Sequence, residues 1–132
     1  MAKEILYKGK NEKELREISI NDFILITTSR QRRSLKRGLP EQHKRLVEKV
    51  KKFKQGKIKK NIKTHCRDMV VIPEFIGTTI HVYSGKEFVP VPITVEKLGH
   101  LLGEFVVTRQ KVQHSAPGIG ATRSSAGAAP KK

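Results

Sequence analysis

The firmest periodic stretch of the chain runs from Pro40 to Gly56. Leu46, Val47, Val50 and Phe53 fall on one helical face, while Lys44, Arg45, Lys49, Lys51 and Lys52 cover much of the remainder. Pro40 suits the first helical position, where its missing N–H costs nothing. Lys51, Lys52 and Lys54 complement the negative end of the helix dipole, and Gly56 is a natural stop. Upstream, Ser19-Ile20-Asn21-Asp22 has the spacing of a capping box, and it tips Phe23 to Thr28 towards helix although its β-branched residues suit a strand. Between these two helices, Ser29 to Gly38 reads as a basic connector, and Lys57 to Lys63 as a basic loop.

From Lys63 onward the period shortens to two. In Thr79 to Tyr83, Ile80 and Val82 share one face, and Thr79, His81 and Tyr83 the other. Ser84 to Glu87 is a turn, and Phe88 to Ile93 is the returning strand. Pro90 and Pro92, two apart, remove N–H groups from the same edge, so this strand is expected at the rim of the sheet, paired only with Thr78 to Tyr83. A third strand around Ile62 to Arg67 would complete the sheet from the other side. Thr94 caps a short helical segment through Leu98, closed by Gly99. The expected fold is α+β: a small antiparallel sheet of about three strands with a Lys-rich amphipathic helix and short helices. The expected organisation is an N-terminal arm with a short helix at 1–28, a domain at 29–112 and a flexible basic tail at 113–132. That tail is rich in Gly, Ala, Ser and Pro and has no apolar set to bury.

Charge changes the picture from fold to function. The 132-residue chain carries a net charge of +16, and almost all of it lies between Arg30 and Arg67, where 16 Lys and Arg face only Glu41 and Glu48. Met1 to Ser29 is balanced, and Asp68 to Glu104 is slightly acidic. Like charges crowded this way repel in the folded state, and a phosphate backbone is the commonest polyanion to neutralise them. With 36% hydrophobic residues, no apolar run of membrane-spanning length and no apolar signal core at the start, neither a membrane nor a secreted protein is expected. Cys66 is the sole cysteine, which fits a reducing, cytosolic setting. The chain has no Trp, five Phe and two Tyr, so base-stacking platforms are scarce, and binding is expected mostly through backbone and shape.

Other chemistry is poorly supported. His65 beside Cys66 has no second ligand pair at metal spacing. No Ser or Cys sits by a His with an orienting acid, and Gly118-Ile119-Gly120 does not lie between a strand and a helix. No catalytic residue, metal, cofactor or small-molecule substrate is expected. A free-standing RNA or DNA chaperone is the alternative to an assembled role. A nuclease using His81 or His100 with a Lys is a third class, which labelled RNA would expose by being shortened.

The motifs Ile72-Pro73-Glu74-Phe75-Ile76-Gly77-Thr78-Thr79-Ile80, Tyr83-Ser84-Gly85-Lys86, Val89-Pro90-Val91 and Gly99-His100-Leu101-Leu102-Gly103-Glu104-Phe105 occur in order, after Arg33-Ser34-Leu35-Lys36-Arg37-Gly38-Leu39-Pro40. Together they resemble the universal small-subunit ribosomal protein family numbered nineteen in bacteria and fifteen in eukaryotes. The arm before Arg30, Thr64 to Met69 and the tail Pro117 to Thr122 look archaeal or eukaryotic; the bacterial pattern is more basic where Asp68 stands here. The resemblance implies a cytoplasmic, ribosomal role: a non-enzymatic constituent of the small-subunit head, bound to the three-prime domain of small-subunit rRNA beside the head protein numbered thirteen. It also implies that the tail runs towards the decoding region. The expected rRNA-binding residues are Arg30, Arg32, Arg33, Lys36, Arg37, Lys44, Lys52, Lys57, Lys59, Lys60, Lys63, Arg67, His81, Lys86 and Arg109. His114, Arg123, Lys131 and Lys132 are expected near tRNA and the decoding region.

Overall fold

The computed structural model describes residues 4–113 together with Arg123, Ser124 and Gly127. Four helices come first: α1 (Glu12–Glu17), α2 (Ile20–Ile26), α3 (Ser29–Lys36) and α4 (Glu41–Lys54). A three-stranded sheet follows, with β1 (Ile62–Thr64), β2 (Thr79–Tyr83) and β3 (Phe88–Pro92) in the order β1-β2-β3. Short 3-10 turns lie at Pro73–Phe75, Val95–Lys97 and Leu102–Phe105.

The α4 stripe is inside as its spacing predicts: Leu46, Val47 and Val50 are buried and Phe53 half-buried. Each such side chain contributes about 1.5–3 kcal/mol by leaving water. The helix begins one residue later than expected, with Pro40 as its N-cap. α2 starts where Ser19 predicts. The Ser19 hydroxyl accepts from the Asp22 N–H at 3.2 Å and donates to the Asp22 carboxylate at 2.7 Å. Ser29–Lys36 departs from expectation, being a helix and not a connector. Its apolar signal is a single residue, Leu35, buried against the core. Gly38, at φ +89°, makes the left-handed turn that separates α3 from α4.

In the sheet, Ile80 pairs with Val91 and Val82 with Val89 across the β2–β3 hairpin. The N–H of Ser84 donates to Glu87 at 2.9 Å and that of Ile93 to Thr78 at 2.9 Å. The alternation fixed by these bonds points residues 89, 91 and 93 at β2 and turns positions 90 and 92 outward. Pro90 and Pro92 therefore sit on the free edge, as predicted. β1 does complete the other side, but parallel to β2, with Ile62 opposite Ile80 and Thr64 opposite Val82. The sheet is mixed and not antiparallel. A parallel neighbour needs a crossover, and the chain between β1 and β2 supplies one. It holds the buried run Met69–Ile72, which bonds to residues 99–102, with Val71 donating to His100 at 2.8 Å and Gly99 to Val71 at 3.1 Å.

The N-terminal segment packs against this body. Leu15 and Phe23 are fully buried members of the core, and Tyr7 stacks near Phe23 with ring centroids 6.1 Å apart. The segment expected as an arm thus brings two helices and two core side chains. Among the described residues no helix is long and apolar enough to cross a membrane.

Candidate nucleic-acid interface

α3 presents Arg30, Arg33 and Arg37 at helical spacing, with Lys36 beside them, and all four are exposed. Arg32 faces the other way. Its Nε donates to the Ile24 carbonyl at 3.1 Å, and its Nη2 donates to those of Leu25 and Thr27 at 3.0 Å each. These are carbonyls at the end of α2 that lack helical partners, so Arg32 is a capping residue and its donors are engaged within the protein. Arg67 behaves alike. It is half-buried, donating to the carbonyls of Tyr83 at 2.8 Å, Gly103 at 2.9 Å and Val106 at 2.5 Å. It ties the hairpin to the last 3-10 turn and to the chain beyond it.

On α4, Lys44, Arg45, Lys49 and Lys52 are exposed opposite the buried stripe, and Lys57, Lys59 and Lys60 continue the basic surface into the loop before β1. Among the described residues, two cations between 30 and 67 have carboxylates in ion-pairing range: Arg45 with Glu41 at 3.6 Å and Lys51 with Glu74 at 3.3 Å. The Arg45–Glu41 pair is exposed and contributes little, whereas Glu74 is half-buried, so the Lys51 pair is partly withdrawn from water. Partial burial of Lys54, and then the neighbouring Arg16 guanidinium, lower its ammonium pKa below the usual lysine value; Glu74 opposes them.

Two depressions adjoin these cations. A cleft of about 350 Å³ between α3 and α4 is lined by Arg30, Arg37, His43 and Asp68 among others. His43 is buried there, its Nε2 lying 3.1 Å from the Asp68 carboxylate. Asp68 therefore has a partner on α4. A second groove of about 280 Å³ joins Arg45 and Lys49 of α4 to Lys63 and His65 at β1. Sequence reasoning included Lys63 but omitted Arg45, Lys49 and His65, whose convergence depends on how α4 packs beside β1. His81 is half-buried on the outer sheet face, Lys86 is exposed on the hairpin turn, and Arg109 is exposed on the segment after the last 3-10 turn. Arg123 is exposed, while His114, Lys131 and Lys132 lie outside the described residues. Among the described residues no group of three His, Cys, Asp or Glu is placed to hold a metal.

The ordered motifs thus sit on one α+β framework whose charged helices face solvent. Residues 33–114 match the model of the family described as Ribosomal protein S19. The chain belongs to the ribosomal protein S19 family. It is 47% identical over 125 residues, 95% of each chain, to the small ribosomal subunit protein uS19 of Nitrosopumilus maritimus (strain SCM1). The matched span starts inside α3 and covers α4, all three strands, the whole groove and the cleft apart from Arg30 and Gln31. The likeness to the archaeal relative extends beyond the S19 match into nearly the whole chain, so α1 and α2 belong to what these two proteins share. Membership of a family of ribosomal structural proteins also sets aside the nuclease reading.

Proposed function

We propose that this S19-family protein is a structural constituent of the small ribosomal subunit that binds the three-prime, or head, domain of small-subunit rRNA. In that position it would stabilise the head near the decoding region, next to the head protein numbered thirteen, with the C-terminal tail reaching towards tRNA. The observation that carries this reading is the set of exposed cations on α3, α4 and the loop after them, most without a carboxylate partner. The mechanism is charge neutralisation on a rigid body. Arg30, Arg33, Lys36 and Arg37 on α3, with Lys44 and Lys52 on α4, meet close-packed phosphates and release their counterions. Helices that hold the cations in fixed array limit the ordering cost of binding.

Full-length protein should bind a transcript of the three-prime domain in preference to unrelated RNA of equal length, with affinity falling steeply as salt rises. Changing Arg30, Arg33, Lys36 and Arg37 to Glu should reduce the log–log salt slope by about 0.7–0.9 for each phosphate that is no longer neutralised. An unchanged slope would move the RNA surface away from α3. In cell lysate the protein should sediment with small subunits; a free-standing chaperone would stay near the top of the gradient.

A further inference from the structure

The two faces of the sheet differ in kind. Ile62, Ile80, Val82 and Val91 fill the inner face and are aliphatic and buried. The rings are on the outer face. Tyr83 and Phe88 are paired across the hairpin with centroids 5.1 Å apart, and His65, just past β1, lies 4.6 Å from Tyr83 and 5.1 Å from Phe88. His65 is exposed and the other two are half-buried. One row along, Lys63 stands opposite His81, which stands opposite Pro90. Lys63 Nζ lies 5.3 Å from the Phe88 ring centroid. The groove holding Arg45 and Lys49 opens at the same corner, where Lys63 and His65 form its other wall.

We infer that this corner of the sheet is a stacking platform for an unpaired nucleobase, which lies against the His65, Tyr83 and Phe88 rings while Lys63, Arg45 and Lys49 take the flanking phosphates. The inference rests on the rRNA-binding reading above and names the part of the RNA this face recognises: a single-stranded or bulged nucleotide, since a base stacked inside a duplex has no free ring face. Two features favour RNA over a polypeptide. Charge here is mostly of one sign: Glu87 is the sole carboxylate of the chain between Lys57 and Arg67 or between Thr79 and Pro92, and on the α4 wall Arg45 has an exposed partner in Glu41. And the outer edge of β3, where a peptide would add as a further strand, lacks two N–H groups at Pro90 and Pro92. The platform was hidden in the sequence because His65, Tyr83 and Phe88 come from three separate segments, and only the register brings them together.

The test measures affinity of the full-length protein for a three-prime-domain transcript across a salt series. His65→Ala and Phe88→Leu should each weaken binding roughly 5- to 150-fold, the range of a single aromatic–base stack. Neither removes a phosphate ligand, so the salt slope should stay as in the wild type. His65→Phe should restore affinity, and Lys63→Gln should lower the slope by about 0.7–0.9. Phe88→Leu keeps apolar bulk on β3, and His65 is exposed, so the His65 variants carry the test if circular dichroism shows Phe88→Leu unfolded. If wild type binds steeply and selectively while His65→Ala binds equally well at every salt, the platform is refuted and the rRNA reading stands. A fall in slope for His65→Ala also refutes it, since the ring would then be acting through phosphates. If wild type prefers the transcript no better than unrelated RNA, the underlying reading fails and the platform with it.

Discussion

Arg67 separates two kinds of basic residue that composition treats alike. Replacing it with Met keeps the unbranched stem of the side chain and removes the bonds to Tyr83, Gly103 and Val106. A hydrogen bond from a charged donor contributes about 1.5–3 kcal/mol when intact. Arg67 is only half-buried, and the freed carbonyls regain some water, so a total near 3 kcal/mol is the reasonable figure. With a urea m-value of about 1–3 kcal/mol per molar, the unfolding midpoint should fall by roughly 1–3 M at unchanged m. Arg33→Met is the partner experiment. Arg33 is exposed on α3, so its replacement should change stability by less than about 0.5 kcal/mol. In RNA binding the roles reverse. Arg33→Met should lower the salt slope by about 0.7–0.9, whereas folded Arg67→Met should leave it alone. Should Arg67→Met keep the wild-type midpoint and lower the slope as Arg33→Met does, its guanidinium binds phosphate and does not clamp the fold.

Two further substitutions probe the frame. At Gly99, φ is +76° and an added Cβ would lie 2.8 Å from the Tyr7 hydroxyl and 3.2 Å from Thr27 Oγ1, so Gly99→Ala should destabilise by about 2 kcal/mol or more. Adding Tyr7→Phe should return part of that in a thermal melt, and an undisturbed melting temperature in the single variant would refute the close approach. Pro90→Ala and Pro92→Ala should each shift stability by less than about 1 kcal/mol, since the restored N–H meets solvent and not β2; collapse of the circular dichroism signal in both would contradict the free-edge placement.

What the sequence made legible follows from how local each signal is. The α4 stripe, the Ser19 cap and the Pro90/Pro92 edge are each written in a few neighbouring residues, and each is found where it was expected. The α3 helix was not legible because its one core residue, Leu35, sits in a run of cations that carries no apolar period. Leu15 was missed for a similar reason: a single large side chain on a short polar helix looks like a surface residue until a core exists to receive it. Phe23 was missed for the opposite one, since it opens the unbroken apolar run Phe23 to Ile26, which has no polar face to say which side is buried. The parallel pairing of β1 was invisible because a three-residue strand has the same alternation in either direction. At the candidate site, exposed lysines were read correctly as surface, but neither the groove nor the ring cluster has any signature shorter than the tertiary fold.

The arginines show why a charge count overstates an interface. Between Arg30 and Arg67, two of the 16 cations, Arg32 and Arg67, each donate to three backbone carbonyls, and both are arginines. The planar guanidinium holds several donors in a fixed fork, so one side chain can satisfy carbonyls arriving from different segments, and its weaker hydration lowers the cost of enclosing it. A lysine ammonium is a compact, strongly hydrated charge that gains more by staying in solvent. Lys44, Lys49 and Lys52 accordingly line α4, and Lys57, Lys59 and Lys60 the loop after it, exposed and available to phosphate. The same run of basic residues therefore does two jobs. Its inward arginines lock α2 to α3 and the hairpin to the last 3-10 turn, and that rigidity fixes the spacing of the outward cations. The free protein is left with unneutralised repulsion among its outward cations, and a polyanionic partner is what removes it.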